Sequence, residues 1–190
     1  METWYYSPYP IGYQNVETLF ICEFCLNPYT SEVGLEKHTA NCPITNPPGD
    51  EIYRDDEKEI AVFEIMGAKN VAYSENLCYL AKLFLDHKTL MLDCTPFAFF
   101  VLTERDEYGY HLVGYFSREI YSDLNYNLNC IIVLPHAQRK GYGKFLIKFS
   151  YEISKLEKKM GTPERPLSDL ARRVYISWWR NQIIRYMLDN

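Results

Sequence analysis

Four side chains stand at metal-ligand spacing. Cys22 and Cys25 are separated by two residues, twelve more follow to His38, and three more to Cys42. Two thiols on a turn and a His/Cys pair four apart on one helical face can close a tetrahedron, and thiolate and imidazole are donors that zinc prefers. Free core cysteines beside a surface histidine would need four coincidences. A second stretch is built for an anion. The run Cys130-Ile131-Ile132-Val133-Leu134 stops at Pro135, and Gln138-Arg139-Lys140-Gly141-Tyr142-Gly143-Lys144 follows. This reads as a buried strand, a tight glycine loop and the first turn of a helix. Proline has no N–H to continue a ladder. Glycines let backbone approach a ligand closely, and a helix start leaves N–H groups unsatisfied. Arg139, Lys140 and Lys144 add positive charge there.

The elements that must position these groups can be read coarsely. The opening Thr3-Trp4-Tyr5-Tyr6-Ser7-Pro8-Tyr9-Pro10 is aromatic and proline-punctuated, an extended segment expected to pack on the body of the chain. A finger helix is predicted from about Ser31 to Ala40. It offers Glu32, Glu36 and only Lys37, the wrong charge for phosphate and the wrong inventory for guanine. The finger therefore reads as structural or protein-facing, and no sequence-specific nucleic-acid binding is expected. Thr45 to Asp50 reads as a turn-rich joint. Glu59 to Ile65 alternates as a strand, and Gly67 to Asn70 as a turn into another strand. Ser74 to Asp86 is predicted helical, capped by Ser74, with Leu77, Leu80, Ala81, Phe84 and Leu85 on one face. Phe97 to Thr103 and Tyr110 to Phe116 read as a hairpin, and Asn127 to Leu134 as the next strand. Gly143 to Lys158 reads as a helix burying Phe145, Leu146, Phe149, Ile153 and Leu156. A loop from Gly161 to Pro166 leads to a last helix capped by Ser168. Strands grouped with a few helices give an α+β (mixed α/β) core, preceded by the finger: residues 1–45 as one unit and 46–190 as the other.

Composition narrows the classes. At 47% hydrophobic and 16% aromatic residues the chain can fill a packed core. No apolar run is long enough to span a membrane. The N-terminus has no basic stretch followed by an apolar one, so no secretory signal is expected. Six cysteines without that signal point to metal, thiol chemistry or core filling, not a disulfide framework. Residues 1–60 carry eleven acids against three bases, and residues 130–190 twelve bases against five acids. A basic C-terminal third suits a phosphate-bearing cofactor, and an acidic N-terminal part suits a basic peptide.

The glycine loop resembles the acetyl-CoA loop of acetyltransferases. Longer runs are similar to those of MYST-type histone acetyltransferases: Asn76 to Leu90, Gln138 to Ile147, and Pro163-Glu164-Arg165-Pro166-Leu167-Ser168-Asp169-Leu170. Thr3 to Pro10, the finger, and Pro47 to Arg54 follow in the same order, so the resemblance covers essentially the whole chain. It implies an acetyltransferase-like central sheet with flanking helices. It implies a nuclear protein lysine acetyltransferase using acetyl-CoA and structural zinc, with histone tails or other lysine-containing proteins as acceptors and subunits of a chromatin-modifying complex as partners. By resemblance the catalytic residues are Cys130 and Glu164. The acetyl-CoA contacts are Ile131, Ile132, Val133, Gln138, Arg139, Lys140, Gly141, Tyr142, Gly143, Lys144 and Ser168, with Ser177 as a further one. The self-acetylated lysine is Lys82, and the zinc ligands are Cys22, Cys25, His38 and Cys42. The resemblance also implies a C-terminal segment that is absent here, and Ala171-Arg172-Arg173-Val174 departs from the usual Gly-Leu-Leu-Ser pattern.

The implied chemistry has definite needs. A lysine amine titrates near ~10.4, and its ammonium has no lone pair for attack on a thioester. Glu164 can take that proton, with nearby aromatics raising its pKa toward a useful range. Backbone N–H groups at the end of the Cys130 strand can stabilise the thioester oxygen. Cys130 either carries the acetyl group first or only lines the pocket; direct attack assisted by Glu164 is preferred because it needs no lowered thiol pKa. A non-catalytic interaction module is the alternative, and a small-molecule N-acetyltransferase a third reading.

Overall fold

The computed structural model describes residues 1–90 and 93–189. At the N-terminus the aromatic segment packs where its composition predicted. The backbone N–H groups of Trp4 and Tyr5 both donate to the Leu83 carbonyl, at 2.9 and 3.0 Å. The Tyr9 ring stacks on Tyr79 at 5.1 Å, and Ser7 Oγ donates to the Tyr79 carbonyl.

The finger follows: a two-stranded sheet of β1 (Phe20–Ile21) and β2 (Pro28–Tyr29), then α1 (Glu32–Thr39). Ser31 caps α1, its Oγ accepting from the Gly34 N–H at 3.2 Å. The helix ends before Cys42, whose N–H turns back to the Thr39 carbonyl. The expected pairing of His38 and Cys42 on one helical face is thus corrected: only His38 is helical, and Cys42 arrives by the turn after it.

The core is a five-stranded sheet in the order β3-β4-β5-β6-β8, antiparallel throughout. Its strands are β3 (Asp50–Asp55), β4 (Ile60–Met66), β5 (Phe97–Arg105), β6 (Tyr110–Glu119) and β8 (Cys130–Val133). Between β6 and β8, the short β7 (Tyr126–Leu128) leaves this sheet and pairs in parallel with β9 (Thr162–Pro163). The single strand predicted from Asn127 to Leu134 is therefore two, broken at Asn129. The β3 strand was not foreseen, because four of its six residues are charged, only Ile52 and Tyr53 are not, and it lies beside a proline-rich joint.

Helices cover both faces, so the two sets of alternating side chains on β5 are both buried. On one face, α2 (Val71–Lys82) packs Leu77, Leu80 and Ala81 against Ile65, Phe99, Val101, Tyr115 and Ile132. On the other, α3 (Tyr142–Leu156) sets Leu146 against Val62, Ala98, Phe100, Leu102 and Phe116. Each fully buried Leu or Phe contributes roughly 2 kcal/mol of hydrophobic stabilisation. Two boundary expectations are corrected. Gly67 to Asn70 leads into α2, not a strand, and Asn70 rather than Ser74 stands at the helix start; Ser74 is buried inside the helix. Leu156 is 83% exposed, and the buried face of α3 is Leu146, Ile147, Ser150 and Ser154. The last helix, α4 (Asp169–Asp189), joins α3 through Tyr175 and Trp178; the Trp178 ring stacks on Tyr151 at 4.4 Å. No helix of the described residues is long and apolar enough to cross a membrane.

Candidate functional site

The finger donors converge. The ligand atoms of Cys22, Cys25, His38 and Cys42 all lie within 4.8 Å of one another. The turn that brings the first two together is closed by Leu26 N–H to the Cys22 carbonyl and Cys22 N–H to the Asn27 carbonyl, with Leu26 at φ 62°. Tyr29 faces the His38 ring at 5.0 Å and fixes its plane. Burial pushes the Cys25 thiol up, with Cys22 beside it adding to the effect. Buried thiols crowded this way need a cation to be held as thiolates, and three sulfurs and one imidazole are a closed tetrahedral zinc set. The finger is also bolted to the core. Leu26 enters the α2 cluster, and the His111 ring bridges Glu23 and Asp106 at 2.8 Å each.

The second site lies at the free edge of the core sheet. Among the described residues, β8 pairs with β6 on one side only. After Val133, a short 3-10 turn at Pro135–Ala137 leads to the loop, in which Gln138 Nε2 ties back to the Val133 carbonyl at 3.0 Å. Arg139 and Gly141 both take positive φ, 66° and 93°, and Gly141 stands directly before α3. An L side chain rarely adopts the Gly141 conformation. Arg139 and Lys144 are exposed, whereas Lys140 is paired with Glu104 at 2.8 Å, and Tyr142 also donates to that carboxylate. Ile131 is partly buried against the cluster of Ile147, Tyr175 and Trp178, which Leu167 and Ala171 of the α4 region also join. Ile132 points the other way, into the α2 cluster. A Cβ on Gly143 would meet Val133 Cγ2 at 3.9 Å. Ser168 Oγ accepts from the Ala171 N–H at 3.2 Å and caps α4. Ser177 is exposed, on the side of α4 away from the Tyr175–Trp178 seam.

Cys130 opens β8 half-buried, with Tyr115 Oη at 3.9 Å and Lys88 Nζ at 3.6 Å from its sulfur. Burial opposes the charge on Lys88, but the sulfurs of Cys130 and Cys78 outweigh it and hold the amine above its ordinary pKa. Glu164 follows β9. Its N–H donates to the Leu128 carbonyl at 2.8 Å, and its carboxylate accepts from Asn129 Nδ2 at 3.1 Å. Asn129 Oδ1 in turn accepts from the Glu119 N–H at 2.8 Å. Asn129, the residue before Cys130, thus links the end of β6 to Glu164. The carboxylate is exposed rather than enclosed by aromatics, and its partner is Asn129, not the neighbouring Arg165.

Lys82 does not share this site. Its amine ties down the turn after α2, donating to the Leu85 carbonyl at 3.2 Å and to that of Asp86, near the Tyr5 ring. Lys88, Tyr115 and Asn129 are site neighbours that sequence reasoning missed. Asn129 carried a signal, a carboxamide interrupting an apolar run. Lys88 and Tyr115 carried none, because a loop and a strand far apart in sequence bring them to Cys130.

Comparison with known proteins bears on the whole chain. The MOZ/SAS family profile matches residues 46–190, and that of the MYST family zinc finger domain matches residues 1–42. "Histone acetyltransferase of the MYST family 2" of Arabidopsis thaliana is 54% identical over 98% of this chain and 42% of its own length. "Histone acetyltransferase of the MYST family 1" of the same plant is 55% identical over 100% of this chain and 41% of its own. The "Histone acetyltransferase Tip60 homolog" of Caenorhabditis elegans is 51% identical over 97% and 40%. The chain therefore spans about two fifths of the length of these relatives.

Proposed function

Since the chain belongs to the MOZ/SAS family, we propose that it transfers acetyl from acetyl-CoA to a lysine side chain of a protein, with histone tails as the first acceptors to test. The observation that carries this is the junction of Cys130, Asn129 and Glu164 at the start of β8, the strand that leads into the glycine loop. Residues 1–45 serve as the zinc-finger unit and residues 46–190 as the transferase core. The family supports a nuclear setting within a chromatin-modifying complex.

The cofactor surface is Ile131 to Val133, Gln138 to Lys144 and Ser168. The unpaired edge of β8 offers backbone N–H and C=O groups to an extended ligand, as a neighbouring strand would. The start of α3 and Arg139 and Lys144 offer a positive end for phosphates. Bound acetyl-CoA supplies the activated acyl group as a thioester. Glu164 accepts the proton of the incoming ammonium, and its exposure lets it meet a lysine arriving from solvent. Asn129 holds the carboxylate through one oxygen and leaves the other for the substrate. Backbone N–H groups at the β8 edge stabilise the oxygen that gains charge.

Cys130 lines this path, and direct transfer to lysine is the primary reading. A route through an acetylated Cys130 has one observation in its favour, the Lys88 amine 3.6 Å from its sulfur. The same contact makes Lys88 a better-placed acceptor for self-acetylation than Lys82.

Incubation of zinc-loaded protein with acetyl-CoA and histone tail peptides tests the reading by mass gain on lysine. Wild type that binds acetyl-CoA yet acetylates neither peptide nor itself removes the enzyme claim and leaves a binding module. Cys130→Ser separates the two routes: retained peptide acetylation excludes an acetyl-cysteine step.

A further inference from the structure

The run from Asn127 to Cys130 gives each residue a separate task. Cys130 opens β8, Asn129 holds the Glu164 carboxylate, and the Leu128 carbonyl accepts the Glu164 N–H at 2.8 Å. Asn127 reaches α3 instead. It is 4% exposed, and its Nδ2 donates to Ser154 Oγ at 3.1 Å. The Ser154 hydroxyl spends its own proton one turn back, on the Ser150 carbonyl at 3.0 Å, so its oxygen is left to accept from Asn127.

Gly161 stands just before β9, against Asn127. A Cβ there would lie 2.7 Å from the Asn127 Cβ and Nδ2 and 2.8 Å from its Cγ, well inside van der Waals contact. Gly161 is not among the residues with positive φ. Space, not backbone conformation, therefore calls for glycine at this position. The close approach lets β9 run beside β7, with Tyr126 opposite Thr162 and Leu128 opposite Pro163. Glu164 is the next residue. Its side chain is exposed, so the place of its carboxylate is set by the main chain arriving from β9 and by Asn129.

We propose that Asn127 and Gly161 are a positioning pair for Glu164. Asn127 ties β7 to α3, Gly161 lets β9 close against Asn127, and the Leu128 carbonyl passes that placement to the Glu164 N–H. Both residues act through Glu164, and their effect on rate rests on the acetyltransferase reading above. A methyl group at position 161 pushes β9 off β7 or turns the Asn127 amide away from Ser154. Either shift moves the carboxylate from where the lysine amine arrives, and a displacement of about 1 Å costs on the order of 100-fold in rate. The glycine loop opens the opposite end of α3, about 18 Å from Ser154 at 1.5 Å per residue. Acetyl-CoA affinity is therefore untouched.

Two measurements on zinc-loaded protein test the pair, the first without any acetyl transfer. Amide hydrogen exchange followed by NMR reads the Glu164 N–H directly. In Gly161→Ala this amide exchanges roughly tenfold faster, while those of Phe100 and Leu102 on β5 keep wild-type protection. Unchanged protection at Glu164, or protection lost equally across β5, overturns the proposal. The second is a double-mutant cycle with a histone tail peptide as acceptor. Gly161→Ala alone lowers kcat on the order of 100-fold at unchanged acetyl-CoA Kd. Added to Glu164→Gln it costs nothing further, because the group it positions is gone. An equal loss in both backgrounds means a merely structural glycine and overturns the proposal. Ser154→Ala is the milder variant, deleting only the acceptor of Asn127. Its kcat falls on the order of fivefold, again only with Glu164 present, and an unchanged kcat strikes Asn127 from the pair. If wild type transfers no acetyl group, or Glu164→Gln matches it, the base reading fails, and the exchange result then decides the pair by itself.

Discussion

All four donors of the finger fall between positions 22 and 42, on a turn, a short helix and the turn after it. The proposed transfer centre draws Lys88 from the segment after α2, Tyr115 from β6, Cys130 from β8 and Glu164 from beyond α3. Local backbone geometry suffices to assemble the first. The second exists only when two sheets and a helix are already packed. One site is completed by its ion and built to stay closed; the other stands at an open sheet edge with its carboxylate exposed. A cluster that folds as a unit ties its function to its stability, whereas a site laid over a finished scaffold can lose function while the scaffold stands.

Four measurements sharpen or break that contrast. The largest effect is expected from Glu164→Gln. Loss of a general base costs about 100- to 10,000-fold in rate, while the exposed position leaves the melting temperature and zinc content unchanged. A parallel fall in stability would break the contrast at its strongest point. Cys42→Ser should act in the opposite way. Zinc measured by metal analysis falls from about one per chain, and unfolding stability drops by on the order of 3 kcal/mol. Full zinc occupancy with unchanged denaturation would count against the ligand set.

Gly141→Ala comes next. No atom lies within 4 Å of an added Cβ, so only the φ of 93° resists it. That strain is worth about 1 kcal/mol, and acetyl-CoA affinity should weaken roughly fivefold if the loop relaxes to escape it. Calorimetric titration showing unchanged affinity would mean that the strain is borne without loss of the loop. The smallest effect concerns the bridge between finger and core. Burial disfavours charge on His111, but Asp106 and Glu23 outweigh it and hold its pKa above the ordinary value. A raised folded pKa gives stability that is fully present below the unfolded value near ~6.5 and fades as pH rises through the folded one. With both acids half exposed, the contribution is below ~1 kcal/mol. Urea midpoints for wild type should fall slightly between about pH 6 and about pH 8, a change absent from His111→Asn.

The same contrast explains what was legible. Zinc spacing and the glycine loop are local patterns: the four donors converge as their spacing predicted, although Cys42 comes from the turn after α1 and not from the helix, and the glycine loop joins strand to helix. The hairpin of β5 and β6 was legible from two long apolar runs around a charged turn. The break at Asn129 was not, because β7 leaves the sheet to meet β9, a partner more than thirty residues downstream. Leu156 was misassigned because helical period fixes an apolar stripe but not how far the covering sheet extends beneath it. Lys88 escaped notice because it lies outside the periodic part of α2, and nothing near it in sequence identifies Cys130 as its neighbour.

The Asn129 fork has a consequence for entropy. Glu164 is fixed through its backbone to Leu128 and through its carboxylate to Asn129, which is itself fixed to Glu119. The rotational freedom of this side chain is therefore surrendered once, when the chain folds, and not again at each turnover. In the proposed reaction, a lysine entering the site meets a carboxylate already aimed, and the ordering left to be done falls on the substrate alone.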